Sequence, residues 1–67
     1  MPIVQITIVP QPTEKKAEMA KVITDEINRI TGISKEVISV LFYEVPADSA
    51  ALNGELLTEK FKRERNH

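Results

Sequence analysis

Few side chains in this chain can react, and their spacing excludes most enzyme chemistries. There is no cysteine, the single histidine is His67 at the last position, and Gly32 and Gly54 stand too far apart to build a phosphate-cradling loop. A structural zinc site lacks a ligand set. What remains is a proline at position 2, a scatter of carboxylates, and a basic tail.

Pro2 follows Met1 directly. Loss of the methionine would leave a secondary amine at the head of an apolar segment. A free α-amino group has a pKa of about 7.7 to 8.0, and desolvation lowers it because burial disfavours the charged form. Such an amine can serve as a general base near neutrality, and as a secondary amine it can also form an iminium with a carbonyl substrate. With Met1 attached, the same nitrogen is an amide and has no basicity. Proline is also simply tolerated at the start of a strand, so position alone leaves both roles open.

Other reactive groups have plainer roles beside the chemical ones. Glu44 can carry a proton or form an ion pair, and Tyr43 can donate a phenol hydrogen bond or pack. The tail Lys60-Phe61-Lys62-Arg63-Glu64-Arg65 reads first as a solvated helix end favoured by the helix dipole.

The elements that must position these groups follow from periodicity. Ile3 to Val9 alternates, with Val4, Ile6 and Ile8 on one face, and predicts a strand that Pro10-Gln11-Pro12 stops. Thr13 to Thr31 predicts one amphipathic helix with Ala17, Ala20, Ile23, Ile27 and Ile30 on its apolar stripe, Thr13 as N-cap and Gly32 as left-handed C-cap. Val37 to Val45 is almost continuously apolar, as in a strand covered on both faces. Pro46 to Gly54 predicts a loop with at most a short hairpin, and Glu55 to Arg65 a terminal helix. The expected fold is α+β: a β-α-β protomer with a parallel two-strand core and a short C-terminal hairpin or helix.

Size and composition bound the rest. The chain has 67 residues, 42% apolar and 28% charged, with nine basic against ten acidic side chains. It is read as a single domain over residues 1–67, with no signal or membrane segment and a cytoplasmic location. The near-neutral charge gives no field to gather nucleic acid or a membrane surface. Chains of about 60 residues bury only roughly 60% of their unfolded surface. One helix covers one face of a two-strand sheet, so the other face and the open edges call for self-association.

The residues Met-Pro-Ile-Val-Gln-Ile-Thr-Ile at 1 to 8, Thr13-Glu14-Lys15-Lys16 at the helix start, the helix end near Gly32, Tyr43-Glu44-Val45 and Asn53-Gly54-Glu55-Leu56 together resemble the 4-oxalocrotonate tautomerase family over residues 2 to about 57. The resemblance implies a homohexamer built as a trimer of dimers, with Pro2 as the acid/base that moves a proton on a small 2-keto acid or its enol, and no cofactor. It also implies arginines where this chain has Gln11 or Pro12, and Ser39, and an aromatic where Ala50 or Ala51 stands. Ser39 and Leu52 are therefore the expected substrate contacts, one a neutral hydrogen-bond donor and the other an apolar wall. A cation would come from Lys15, Lys16, Arg63 or Arg65, in the same or a neighbouring subunit. The expected function is a keto-enol tautomerase; the alternatives are a proline-dependent hydratase or dehalogenase of unsaturated acids, and a non-catalytic oligomeric binding member of the fold.

Overall fold

Alternation of β-branched residues drives β1 (Ile3–Ile8), where Val4, Ile6 and Ile8 are half-buried and Ile3, Gln5 and Thr7 are exposed. In the computed structural model, which describes residues 1–65, it is followed by α1 (Thr13–Thr31), β2 (Ser39–Glu44), β3 (Ala51–Leu52), β4 (Glu55–Leu56) and α2 (Leu57–Arg65). β1 and β2 pair in parallel, from Ile3 opposite Ser39 to Ile8 opposite Glu44. The fold is the expected β-α-β unit with a parallel two-strand sheet, extended by a C-terminal hairpin and helix.

The register sorts the side chains. Val4 and Val40, Ile6 and Phe42 lie opposite each other on the half-buried face, under α1. Gln5 with Leu41 and Thr7 with Tyr43 lie on the other face, which nothing among the described residues covers. Met19, Ala20, Ile23 and Ile27 of α1 are half-buried, whereas Ala17 is exposed and Ile30 is 70% exposed, although both belong to the apolar stripe.

Several boundaries differ from the sequence expectation. Thr13 is the first helical residue and not the N-cap; Pro12 caps, in extended conformation, and its carbonyl accepts from Lys15 and Lys16 N–H. Proline suits this place because no cap donor is required of it. At the other end Gly32 adopts φ 75° and donates its N–H to the Asn28 carbonyl at 2.8 Å, the left-handed cap expected. β2 begins at Ser39 instead of Val37, because Ser34 Oγ accepts the Glu36 N–H and winds Lys35–Val37 into a 3-10 turn. α2 begins at Leu57 instead of Glu55: residues 55 and 56 are consumed by the hairpin, whose Asn53-Gly54 turn has positive φ at both residues, the geometry of a two-residue type I′ connection.

The C-terminal arm is tied together internally. Leu57 N–H donates to the Ala50 carbonyl at 2.8 Å, and α2 packs on β4 and on the 3-10 turn Ala47–Ser49. The Arg63 guanidinium grips Glu55 through Nε to Oε2 at 3.2 Å and Nη2 to Oε1 at 2.7 Å, holding the Glu55 carboxyl below its usual range.

Among the described residues none is fully buried. The radius of gyration is 15.7 Å, against about 11 Å for a compact chain of this length, and the molecule extends 46 × 20 × 18 Å. No described helix is long and apolar enough to cross a membrane.

Candidate active site

Pro2 is half-buried between Met1 and β1. Its carbonyl accepts the Ser39 backbone N–H at 3.0 Å, which continues the parallel ladder one step beyond β1 and fixes the ring at the head of the sheet. Ser39 is half-buried at the start of β2, so the structure brings these two expected site residues together. Met1, the residue that would have to be removed to free the Pro2 nitrogen, is 85% exposed.

Leu52 is not at this place. It lies in β3, opposite Glu55 and 59% exposed, on the arm that packs on itself. Within one protomer it forms no wall for Pro2. Tyr43 is exposed on the uncovered sheet face. His67 lies outside the described residues.

The far end of the sheet is closed by a charge cluster that sequence reading saw only in part. Glu44 accepts the Gln11 backbone N–H on Oε2 at 2.8 Å and pairs with Lys16 Nζ through Oε1 at 3.1 Å. The Gln11 N–H and the Lys16 ammonium hold its carboxyl below the usual carboxylate range. Glu44 is thus an ion-pairing residue, the plainer of its two expected roles. The Gln11 contact leaves no trace in the sequence, since a backbone donor can belong to any residue but proline.

Lys15 and Lys16 point to different tasks. Lys15 lines a groove of about 470 Å³ together with Ile8, Gln11, Glu18, Met19 and Val22. This is the size of a small-molecule site, with an apolar wall and few polar groups. It sits at the opposite end of β1 from Pro2, about 20 Å away along the strand at 3.3 Å per residue. The concavity and the candidate base therefore do not coincide in one protomer. No group of three or more metal-binding side chains is found among the described residues.

A model of the family described as "Tautomerase enzyme" matches residues 2–60. Among solved structures, a 4-oxalocrotonate tautomerase homologue is 32% identical with a TM-score of 0.81, covering 88% of this chain and 95% of its own. YwhB, a homologue of 4-oxalocrotonate tautomerase, is 27% identical with a TM-score of 0.78, covering 87% and 97%. A heterohexameric 4-oxalocrotonate tautomerase from Chloroflexus aurantiacus is 23% identical with a TM-score of 0.81, covering 88% and 97%, a likeness of fold. No match is found among curated protein sequences.

Proposed function

Because this chain belongs to the tautomerase family, we propose that it moves a proton in keto-enol conversion, 1,3 or 1,5, of a small 2-keto acid or its enol, with the Pro2 amine as general base once Met1 is removed. The observation that carries this reading is the half-buried Pro2 ring anchored through its carbonyl to Ser39. A neutral amine there takes the enol hydroxyl proton and returns it to carbon as the carbonyl forms. No redox change occurs, and the base is regenerated. The Ser39 hydroxyl would donate one hydrogen bond to a substrate oxygen, roughly half as strong as a charge-assisted one. Leu52 would supply its apolar wall from the arm of a neighbouring copy.

The chain acts as one tautomerase-like domain over 1–67 in a homohexamer, in the cytoplasm, with no cofactor. Self-association is supported by the uncovered sheet face and the absence of any buried residue among those described. The heterohexameric relative supports the number of copies. Ser39 also favours a second reading, since a neutral hydroxyl holds an anionic substrate weakly: a binding protein without turnover.

The test is an intact mass of the native protein, followed by assay of simple enol pyruvates with the processed protein and with Pro2→Ala. Loss of Met1 and a slower variant support the proposal. Equal rates, or a proline nitrogen still acylated, overturn it.

A further inference from the structure

A side-chain amide and a backbone nitrogen stand next to each other at the turn of the C-terminal hairpin. Asn53 holds φ 51° and Gly54 φ 80°, and both residues are exposed. The turn is closed by its flanking pair, Leu52 opposite Glu55, which leaves the Gly54 N–H outside the ladder. No backbone acceptor takes that N–H among the described residues. A β-carbon at Gly54 would meet nothing within 4 Å, so the space around this nitrogen is open. Asn28 is the contrast within the same chain. It lies inside α1, its Nδ2 donates to the Ile33 carbonyl at 2.8 Å, and the residue after it is Arg29, with a full side chain.

The hairpin that carries the turn is short enough to open. β3 and β4 pair over two residues each, and a lone two-stranded hairpin is marginally stable at best in water. β4 packs on α2 and on the Ala47–Ser49 turn of its own arm. Opening frees rotation about the Asn53 Cα–C bond, and that rotation brings the side-chain Cγ onto the Gly54 nitrogen in a five-membered ring. Glycine offers this approach the least steric resistance, because it has no β-carbon.

We propose that Asn53 is a site of spontaneous modification, at which attack by the Gly54 nitrogen expels ammonia and leaves an isoaspartyl linkage that uncouples α2 from the hairpin. The Gly54 N–H gives its proton to hydroxide, the nitrogen bonds to Cγ of Asn53, and the Cγ–Nδ2 bond breaks as ammonia leaves with a proton from water. Water then opens the cyclic imide at one of its two carbonyls, and nothing is oxidised or reduced. Opening at the main-chain carbonyl routes the backbone through Cγ and adds one carbon to the turn. Loop length fixes the register of a hairpin, so the longer backbone breaks the pairing of Ala51 with Leu56. The Leu57 N–H bond to the Ala50 carbonyl, which ties down α2 at 2.8 Å, goes with it. Opening at the other carbonyl gives aspartate, which enters left-handed turns as asparagine does and keeps the hairpin. Either product adds one negative charge to a chain of formal net charge −1. The site needs neither Pro2 nor a substrate, so it stands apart from the proton-transfer reading.

The experiment holds the full-length protein in mildly alkaline buffer, samples it over time and maps the tryptic peptides by mass. Residues 36–60 form one peptide in which Asn53 is the only side-chain amide, and residues 22–29 form another that contains Asn28. The first should gain about 1 Da, with isoaspartate the larger product by fragmentation, faster as pH rises. It should run at least roughly tenfold ahead of the second, because a turn opens far more often than a helix interior. Asn53→Gln, whose longer side chain cannot close the same ring, should abolish the gain. An Asn53 that keeps its amide as long as Asn28 does, a rate that ignores pH, or a gain that persists in Asn53→Gln overturns the proposal. The isoaspartyl chain, separated by anion exchange, should lose hydrogen-exchange protection at the Leu57 N–H, whereas Asn53→Asp should keep it. Equal protection in the two refutes the uncoupling.

Discussion

The Glu44 carboxylate at the end of β2 accepts the backbone N–H of Gln11 at 2.8 Å, across 33 residues of sequence. With Lys16 on its other oxygen at 3.1 Å, it fastens the β1–α1 corner to the end of the sheet. This is the corner that carries Lys15 into the groove, so the clasp links the stability of the fold to the shape of the groove.

The Glu44 carboxyl is held below its ordinary value of 4.5 by the Gln11 N–H first and Lys16 second. A depressed carboxyl stabilises the fold at pH values above the unfolded-state pKa, and that contribution is lost as pH falls through the folded-state value. Glu44→Gln should therefore lower the melting temperature at neutral pH and flatten the loss of stability below about pH 4.5. Thermal melts across the acid range check both.

If Pro2 is the base, kcat/KM should rise with pH through an amine pKa displaced below the usual value of about 7.7 to 8.0. Pro2→Ala should cost about 100- to 10,000-fold in rate. A pH–rate profile read beside NMR titration of the proline nitrogen measures the displacement. A rate that instead falls as the amine deprotonates would identify the protonated proline as an acid.

Leu41 and Tyr43 stand 41% and 49% exposed on the sheet face that α1 leaves open. A charge placed there would have to be buried without a partner when copies pack face to face, a cost of several kcal/mol. Leu41→Lys should dissociate the assembly into smaller species by sedimentation velocity and lower the thermal midpoint.

Gly32 holds φ 75° in the helix cap, and a β-carbon there would meet nothing within 4 Å. The penalty for Gly32→Ala is therefore backbone strain alone, about 1–2 kcal/mol. In a chain of this size that lowers the melting temperature by about 4–8 °C for each kcal/mol. Gly32→Asn should cost less, because asparagine enters this region more readily.

The backbone plan was legible because it rests on short-range rules. Alternation from Ile3, the prolines at 10 and 12, the three-and-four spacing through Ile23 and Ile27, and the Asn53-Gly54 pair each act within a few residues, and each appears within two residues of its expected limit. The misplaced boundaries have equally local causes: a serine that caps a 3-10 turn before β2, and a hairpin that takes the first residues expected of α2. The site was less legible. Pro2 and Ser39 meet because the parallel register brings positions 37 residues apart to the same end of the sheet, and no single segment contains that information. The division of labour between Lys15 and Lys16 is set by where a helix begins relative to Glu44. A shift of one residue at that start would have set Lys15 in the place of Lys16, against Glu44, and left no lysine at the groove.

A molecule 46 Å long in which no described side chain is fully enclosed makes folding a question of dose. If other copies complete its interior, dilution becomes a denaturant and the thermal midpoint climbs with protein concentration. The working form would then be set by how much chain a cell makes, and a subunit released from its neighbours would give up its shape together with its chemistry.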